Sequence, residues 1–294
     1  MIYHYVLSVL IATLIILIVY YIYTLYTSVS LDNQRYDKHL YYLSKEETAL
    51  FLEHDEDKYV ANLSPIDLYA RKVSSKDEYI NIIKEEATHF NKGDRLKLDI
   101  CTKKADELLR NININSIINE SNLDYSKYLN YKDIANIKWV MAITRVDNDD
   151  SGGIGKYEDG LPHTRKNIIF LSQDVLNYSE DEIIKLLIHE KIHIYQRNNE
   201  ALFKNIIYNM GYAEISVEPD KLKYIRSNPD VNNKIYKNVS TGELMICLYS
   251  SDKPKSINDI VLQNYSMEHP YEKIAYEISE HIYNIHKIEK YKGV

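Results

Sequence analysis

The chain has 294 residues, 45% of them hydrophobic and 27% charged, and its net charge at pH 7 is −7. This acidic balance, with both signs mixed along the chain and no basic stripe, argues against nucleic acid as a main partner. Two cysteines are too few for a disulfide framework, which excludes a small disulfide-stabilised secreted domain and fits a reducing compartment.

The N-terminal region predicts a transmembrane anchor. Residues 6–26 carry no charged side chain and are long enough to cross a bilayer as one helix. Tyrosines gather at the end of this stretch, where amphipathic rings favour the membrane interface. Ser28 and Ser30 have the spacing of a signal-peptide cleavage site. We favour a retained single-pass anchor, because the apolar core is too long for a signal peptide and no Lys or Arg precedes it.

Basic residues indicate the orientation of that anchor. Arg35, Lys38 and Lys45 follow the apolar stretch and none precedes it, so the positive-inside tendency predicts a cytosolic location for the rest of the chain. Residues 40–60 resemble a charged helical juxtamembrane stretch. Ser64 and Pro65 begin a helix, and the pattern stays helical, with a break near residues 91–94, to about residue 117. We expect residues 32–136 to form a helical support region.

An acidic loop follows a predicted strand at residues 137–144. Residues 147–158 match a twelve-residue calcium loop, with oxygen-bearing side chains at positions 1, 3, 5 and 12 and Gly152 at position 6. The helix that should leave such a loop is missing, since Gly160 and Pro162 follow it. We therefore favour an acidic, glycine-rich loop beside the active site over a Ca²⁺ site.

The most informative motif lies in the next helix. Residues 167–172 form a β-branched run that predicts a strand, and Ser179 with Glu182 predicts a capping box. The helix that follows carries His189, Glu190 and His193, an HExxH pattern. Histidines four residues apart lie on one helix face and can bind one ion, and the glutamate between them can act on a water. One catalytic Zn²⁺ is the predicted cofactor.

Two further features belong to this predicted site. The edge of the strand at residues 167–172 could hold an extended peptide by backbone pairing. His163, in the predicted loop before that strand, is a candidate stabiliser of the oxyanion, as are Tyr265 and Tyr276. After the active-site helix we expect a helix at residues 200–210, irregular structure to Thr241, a strand around Cys247 and a closing helix at residues 270–290.

The closing helix offers the third ligand that catalytic zinc usually needs. It begins His269-Pro270-Tyr271-Glu272 and has Ala275 one turn later. A late helix of this form after an HExxH helix resembles the gluzincin-type metallopeptidases. That resemblance implies Glu272 as the third ligand and a small Ala275 that lets the two helices approach.

Helical phase alone leaves Glu277, Glu280 and His281 open as ligands, and a glutamate at the third helical position is also ordinary capping chemistry. The segment from about residue 138 to residue 290 is also similar to predicted membrane-anchored metallopeptidases of large DNA viruses. With the basic residues after the anchor, we expect a cytosolic or virion-interior site rather than a luminal one.

Together these patterns predict a helix-rich α+β protein with three regions. They are an anchor at residues 1–31, a support region at 32–136 and a zincin-like metallopeptidase domain at 137–294. The predicted function is zinc-dependent hydrolysis of peptide bonds in a peptide or protein substrate by a membrane-bound enzyme. The alternative is a catalytically inactive structural or adaptor protein of the same fold and membrane location.

Overall fold

The computed structural model describes Thr13, Leu17, Ile18 and residues 39–112, 123–145, 157–216, 223–262 and 267–292. The chain divides into two compact units, Met1–Tyr41 and Tyr42–Val294. Apart from those three residues, the predicted anchor at residues 6–26 lies outside the described part. A search of the described residues for a helix long and apolar enough to cross a membrane finds none.

Helices and short strands together make up the described chain, which confirms the α+β class. The α-helices are α1 (Lys45–His54), α2 (Pro65–Ala70), α3 (Lys76–Glu85), α4 (Lys92–Asn111), α5 (Tyr131–Asn136), α6 (Glu180–Asn198), α7 (Glu200–Asn209) and α8 (Pro270–Lys292). The strands are β1 (Leu40–Tyr42), β2 (Trp139–Thr144), β3 (His163–Arg165), β4 (Ile168–Ser172), β5 (Tyr212–Ile215), β6 (Ile235–Asn238), β7 (Leu244–Met245), β8 (Cys247–Tyr249) and β9 (Ile260–Leu262).

Strand β4 is paired on both sides in the main sheet. It runs parallel to β2, with Met141 opposite Ile169, and antiparallel to β3, with His163 opposite Phe170. All five residues of β4 are buried. A strand covered on both faces needs apolar residues at successive positions, and this explains the continuous run from which it was predicted.

Helix α6 lies in the core of the second unit and contacts α4, α5 and α8. Its N-terminus has the predicted capping box: the Ser179 hydroxyl accepts from the Glu182 amide at 3.3 Å, and the Glu182 carboxylate accepts from the Ser179 amide at 2.9 Å. Leu187, Ile188 and Ile192 are fully buried, and each such side chain contributes about 1.5–3 kcal/mol of burial. Most of α6 is therefore buried, as its apolar residues from Ile183 to Ile194 require.

Several predicted elements differ from those observed. Residues 40–42 form a strand instead of helix, because Leu40 and Tyr42 alternate into the interior. The expected break near residue 91 is the start of α4, where Asn91 caps the helix by accepting from the Asp94 amide at 2.9 Å. The expected irregular segment before Thr241 contains β5 and β6, which pair as antiparallel strands. The proposed boundary between a support region and a catalytic domain at residue 136 stays a prediction.

Candidate metal centre

Two histidines of α6 face one point in a cleft. His189 and His193 lie one turn apart, and their Nε2 atoms are 3.0 Å from each other. His193 is fully buried, whereas the His189 side chain keeps 22% of its exposure. This geometry follows from the four-residue spacing of the motif, which puts both rings on the same helix face.

Helix α8 brings Glu272 to the same point. Its Oε2 is 3.3 Å from His189 Nε2 and 3.5 Å from His193 Nε2. Helix α8 packs on α6, and Ala275 and Ile274 of α8 are fully buried. Within the described residues, His189, His193 and Glu272 are the one group of three His, Cys, Asp or Glu side chains whose candidate ligand atoms lie within 4.8 Å of one another.

The spacing of these three atoms fits a zinc ion. Two donors bound at about 2.0–2.1 Å to a tetrahedral ion stand roughly 3.3 Å apart. The measured separations of 3.0, 3.3 and 3.5 Å bracket that value. Two imidazoles and one carboxylate are also a donor set found at catalytic zinc, which keeps a fourth position for water.

The other candidate ligands on α8 point elsewhere. Glu277 is bonded by the Tyr125 hydroxyl at 2.5 Å and pairs with Lys273 at 2.7 Å. Glu280 pairs with Lys185. His281 is half-buried, and its Nε2 has no hydrogen-bond partner within the described protein. None of these three lines the cleft beside the histidines.

Two amide side chains hold the metal-facing groups in place. Gln196 Oε1 lies 2.8 Å from His193 Nδ1, and its Nε2 donates to the Tyr271 carbonyl at 2.9 Å. An amide oxygen only accepts, so Nδ1 carries the proton and Nε2 is left with its lone pair. Asn228 Nδ2 donates to Glu272 Oε1 at 2.8 Å, leaving Oε2 toward the histidines. Glu272 is therefore engaged in the site and not in ordinary helix capping.

In this centre the carboxylate of Glu272 and the two histidines stabilise each other's charged forms. Burial alone would lower the pKa of His193, but the Glu272 carboxylate outweighs it and raises that pKa to about 9. Burial would raise the pKa of Glu272, yet His193 and His189 hold it well below its ordinary value. The electrostatics of the centre therefore favour a positive charge between Glu272 and the two histidines.

Glu190 lies beside this group in a cleft of about 210 Å³. It is 2% exposed, and its Oε2 has no hydrogen-bond partner within the described protein. Burial, and after it the negative charge of Asp230, raise the pKa of Glu190 well above its ordinary value. A buried carboxylate oxygen without a partner is costly in a folded protein and indicates a ligand or a proton at that atom.

His163 also lines the cleft, although not in a loop. It lies in β3, stacked on Phe170, and its Nδ1 is 2.9 Å from the Leu161 carbonyl. That contact places the ring proton on Nδ1, so the unpartnered Nε2 of a neutral ring is an acceptor. Burial lowers the pKa of His163. Its predicted role as an oxyanion stabiliser therefore requires a doubly protonated ring that burial disfavours, and it stays a prediction.

The two tyrosines named as further oxyanion donors have different positions. Tyr265 lies outside the described residues. Tyr276 is 44% exposed, stands under the Lys185 ammonium and does not line the cleft. The structure thus gives Tyr276 no place near the metal-facing atoms.

The strand before α6 cannot hold a substrate by its edge, contrary to expectation. Strand β4 is flanked by β2 and β3, so its backbone groups are already paired. On β3, Asp230 Oδ1 accepts from the Thr164 amide at 2.5 Å, and Arg197 donates to the Thr164 carbonyl at 3.3 Å. The predicted mode of substrate binding by strand addition at residues 167–172 is therefore wrong, because the sheet continues to β3 and side chains occupy Thr164.

Sequence reasoning missed the segment that forms the opposite wall of the cleft, residues 226–230. Arg226 donates to both Glu268 oxygens at 2.8 and 2.6 Å, which ties this wall to the residues before α8. Asn228 and Asp230 reach the site from a stretch with no apolar periodicity. Of the residues that hold the site, only Gln196 could have been predicted from the sequence, since it lies one turn after His193 on the same helix face.

The acidic loop retains one described ligand position. Residues 146–156 lie outside the described part, whereas Glu158 is buried. Its carboxylate accepts from Arg71 at 3.0 and 2.5 Å and from the Tyr79 hydroxyl at 2.7 Å. The side chain at position 12 of the calcium pattern is thus already bonded within the protein. The preference for an acidic loop over a Ca²⁺ site stays a prediction, and this contact agrees with it.

Comparison of the chain with protein-family models, with curated proteins and with solved structures finds no match. The resemblance to gluzincin-type metallopeptidases therefore rests on the residues of α6 and α8 alone.

Proposed function

We propose that this chain is a zinc-dependent peptidase. The observation that carries the proposal is the convergence of His189, His193 and Glu272 on one point, with Glu190 in the same cleft. Three candidate ligand side chains from two helices and a buried carboxylate beside them are the parts that hydrolytic zinc sites use. The orphan Oε2 of Glu190 supports the same conclusion.

The residues divide the work between binding and proton transfer. His189, His193 and Glu272 would hold the ion, while Gln196 and Asn228 orient two of these ligands. A bound zinc ion would act as a Lewis acid and lower the pKa of its water. Glu190 accepts the proton of the attacking water at its carboxylate and delivers it to the nitrogen of the departing amine, so that one group serves as base and then as acid.

The substrate and location are part of the proposal. A peptide or protein is the proposed substrate, and no described feature supports nucleic acid, since the net charge is −7. The apolar stretch at residues 6–26 supports a single-pass membrane protein, and the basic residues after it support a cytosolic or virion-interior site. An inactive adaptor of the same fold would keep the metal-binding geometry but would not hydrolyse peptides.

Metal analysis of the full-length protein tests the proposal. We expect about one zinc per chain in the wild type and in Glu190→Gln, and none in Glu272→Ala. Glu277→Ala is the matched control, because it removes a glutamate from the same helix but outside the cleft. Wild type that stays free of zinc after zinc is added back would overturn the proposal.

Hydrolysis of a mixed peptide library by the zinc-loaded protein then separates enzyme from adaptor. We expect cleavage by the wild type and a loss of at least about a hundredfold in Glu190→Gln, since general acid–base catalysis contributes that much. Equal cleavage by both proteins would show a contaminating peptidase. No cleavage by a protein that binds zinc would favour the adaptor.

A further inference from the structure

Five carboxylates line the metal cleft: Glu158, Glu190, Asp230, Glu268 and Glu272. Three of these five have positively charged or histidine partners. Glu158 is paired with Arg71 and Glu268 with Arg226. Glu272 faces the two histidines. Among the described residues, Glu190 and Asp230 are the two acids of this lining that form no ion pair at 4.0 Å or less.

Asp230 is held in the cleft by neutral donors. It is 8% exposed, and its Oδ1 accepts from the Thr164 amide at 2.5 Å and from the Thr164 hydroxyl at 2.7 Å. Within the described residues it forms no ion pair with a lysine or arginine nitrogen at 4.0 Å or less. Both of its described hydrogen bonds end on Oδ1, which leaves Oδ2 for a ligand.

Arg197 interacts with the charge of this carboxylate, but its hydrogen bonds go to other groups. Arg197 donates to the carbonyls of Thr164, at 3.3 Å, and of Pro229, at 3.2 Å, and also to the carbonyl of Lys166. These hydrogen bonds hold the wall of the cleft, and the guanidinium interacts with the Asp230 charge from beyond 4.0 Å. A charge that is nine-tenths buried and lacks an ion partner is expensive, and it gains most from a cation that enters the cleft.

We propose that Asp230 is a specificity-determining residue that accepts a positively charged group of the substrate next to the scissile bond. The group would be an ammonium or a guanidinium, from a lysine or arginine side chain or from the free α-amine. The inference rests on the proposed function. Glu190 and Glu272 line the same cleft, so the surroundings of Asp230 are acidic and suit a cationic group of a substrate.

A purely structural role for Asp230 does not account for its charge. The Thr164 amide and hydroxyl need only a neutral acceptor, which an asparagine would supply through its carbonyl oxygen. The Asp230→Asn variant therefore keeps the contact with β3 and removes the negative charge. Asp77→Asn is the matched control: Asp77 is exposed in the first turn of α3 and lies outside the cleft, so it changes the net charge equally.

Binding to the full-length Glu190→Gln protein loaded with zinc provides a readout that needs no turnover. Peptides that differ at one position, with Lys, Arg, Leu or Glu, are titrated in acetylated and in free-amine form. We expect the cationic peptides to bind about 10–100-fold more tightly than the leucine peptide, and Asp230→Asn to remove that preference while Asp77→Asn keeps it. If only free-amine peptides gain affinity, the cation is the α-ammonium; if acetylated Lys and Arg peptides gain it, the cation is the side chain.

The outcomes distinguish this inference from the proposed function. If the Glu190→Gln protein with Asp230 intact binds the cationic and leucine peptides equally, the inference is overturned, whatever the hydrolysis assay gives. If the Asp230→Asn variant still prefers cationic peptides, the inference is also overturned, because another carboxylate must then cause the preference. A third outcome is a preference for cationic peptides that depends on Asp230, while the protein with Glu190 intact hydrolyses no peptide. That result would uphold the inference about binding and overturn the proposed peptidase activity.

Discussion

Gln196 Oε1 lies 2.8 Å from His193 Nδ1, and the same amide donates to the Tyr271 carbonyl at 2.9 Å. One side chain thus fixes the tautomer of a metal-facing histidine on α6 and also links that helix to the first turn of α8. The residue after Tyr271 is Glu272, so Gln196 sets the geometry of both ligand-bearing helices. Partners of this kind orient ligands at metal sites although they never touch the ion.

We predict that Gln196→Ala lowers zinc affinity by about 10–100-fold, because His193 loses the acceptor that fixes its tautomer. Gln196→Glu keeps an acceptor for Nδ1 and should bind zinc more tightly than Gln196→Ala. Competition titration with a chelating dye measures both affinities. Equal affinity of the alanine variant and the wild type would show that the contact has no part in metal binding.

The buried pair of Arg71 and Glu158 should make stability depend on pH. Burial would raise the pKa of Glu158, but Arg71 outweighs it and lowers that pKa to about 2. A lowered pKa gives stability that is complete above the ordinary value, near 4.5, and is lost as the pH falls toward 2.

We therefore expect Glu158→Gln to be about 3 kcal/mol less stable than wild type at pH 7, with the difference shrinking below about pH 4.5. Urea unfolding at a series of pH values measures it. Glu53→Gln is the control, since Glu53 and Lys84 form an exposed pair whose loss should change stability far less. A difference for Glu158→Gln that stays constant with pH would contradict the assignment.

Lys191, inside the HExxH motif, should be structural. It is fully buried, donates to Asp106 at 2.5 Å and to the Ala135 carbonyl at 2.9 Å, and lies 3.9 Å above the Trp139 ring. These contacts tie α6 to α4 and α5, away from the metal cleft.

We predict that Lys191→Met costs about 3–5 kcal/mol of unfolding free energy, because Asp106 loses its buried cation. The zinc content of the protein that remains folded should not change. Lys104→Met on the surface of α4 is the control, with an expected cost below about 1 kcal/mol. Chemical denaturation and metal analysis together test this, and loss of zinc at unchanged stability would assign Lys191 to the site instead.

Both cysteines should be unreactive in the folded protein. Cys101 and Cys247 are buried and form no disulfide, and burial raises the pKa of each thiol to about 12. Since the thiolate is the reactive form, iodoacetamide at pH 8 should modify neither cysteine in native protein and both in urea. Mass spectrometry after a timed reaction gives the count. Native modification as fast as in urea would show that the thiols are exposed.

The sequence was most informative where one local pattern decides the structure. The Ser179 capping box and the spacing of His189 and His193 depend on neighbours within one helix, and both are found as expected. Pro270 likewise marks the start of α8. Strand β3 was not predicted because His163, Thr164 and Arg165 are polar residues that tertiary contacts bury. Their sequence therefore lacks the alternation of apolar and polar residues that indicates a strand.

The wall of the cleft could not be predicted for a related reason. Asn228 and Asp230 meet Glu272 and Thr164 across 44 and 66 residues of sequence, and no periodicity connects such partners. Contacts of this kind become visible only when the chain has folded. The candidate ligands could therefore be proposed from local patterns, whereas the residues that hold and surround them could not.

The distance along the chain between the ligands has a consequence for how the protein unfolds. His193 and Glu272 are 79 positions apart (272 − 193), so an ion bound to both would close a long loop and act as a reversible cross-link between α6 and α8. A cross-link of that kind adds most to stability when the loop it closes is long. When a chelator removes the ion, α8 should therefore unfold before the rest of the protein. Proteases should then cleave within α8 first.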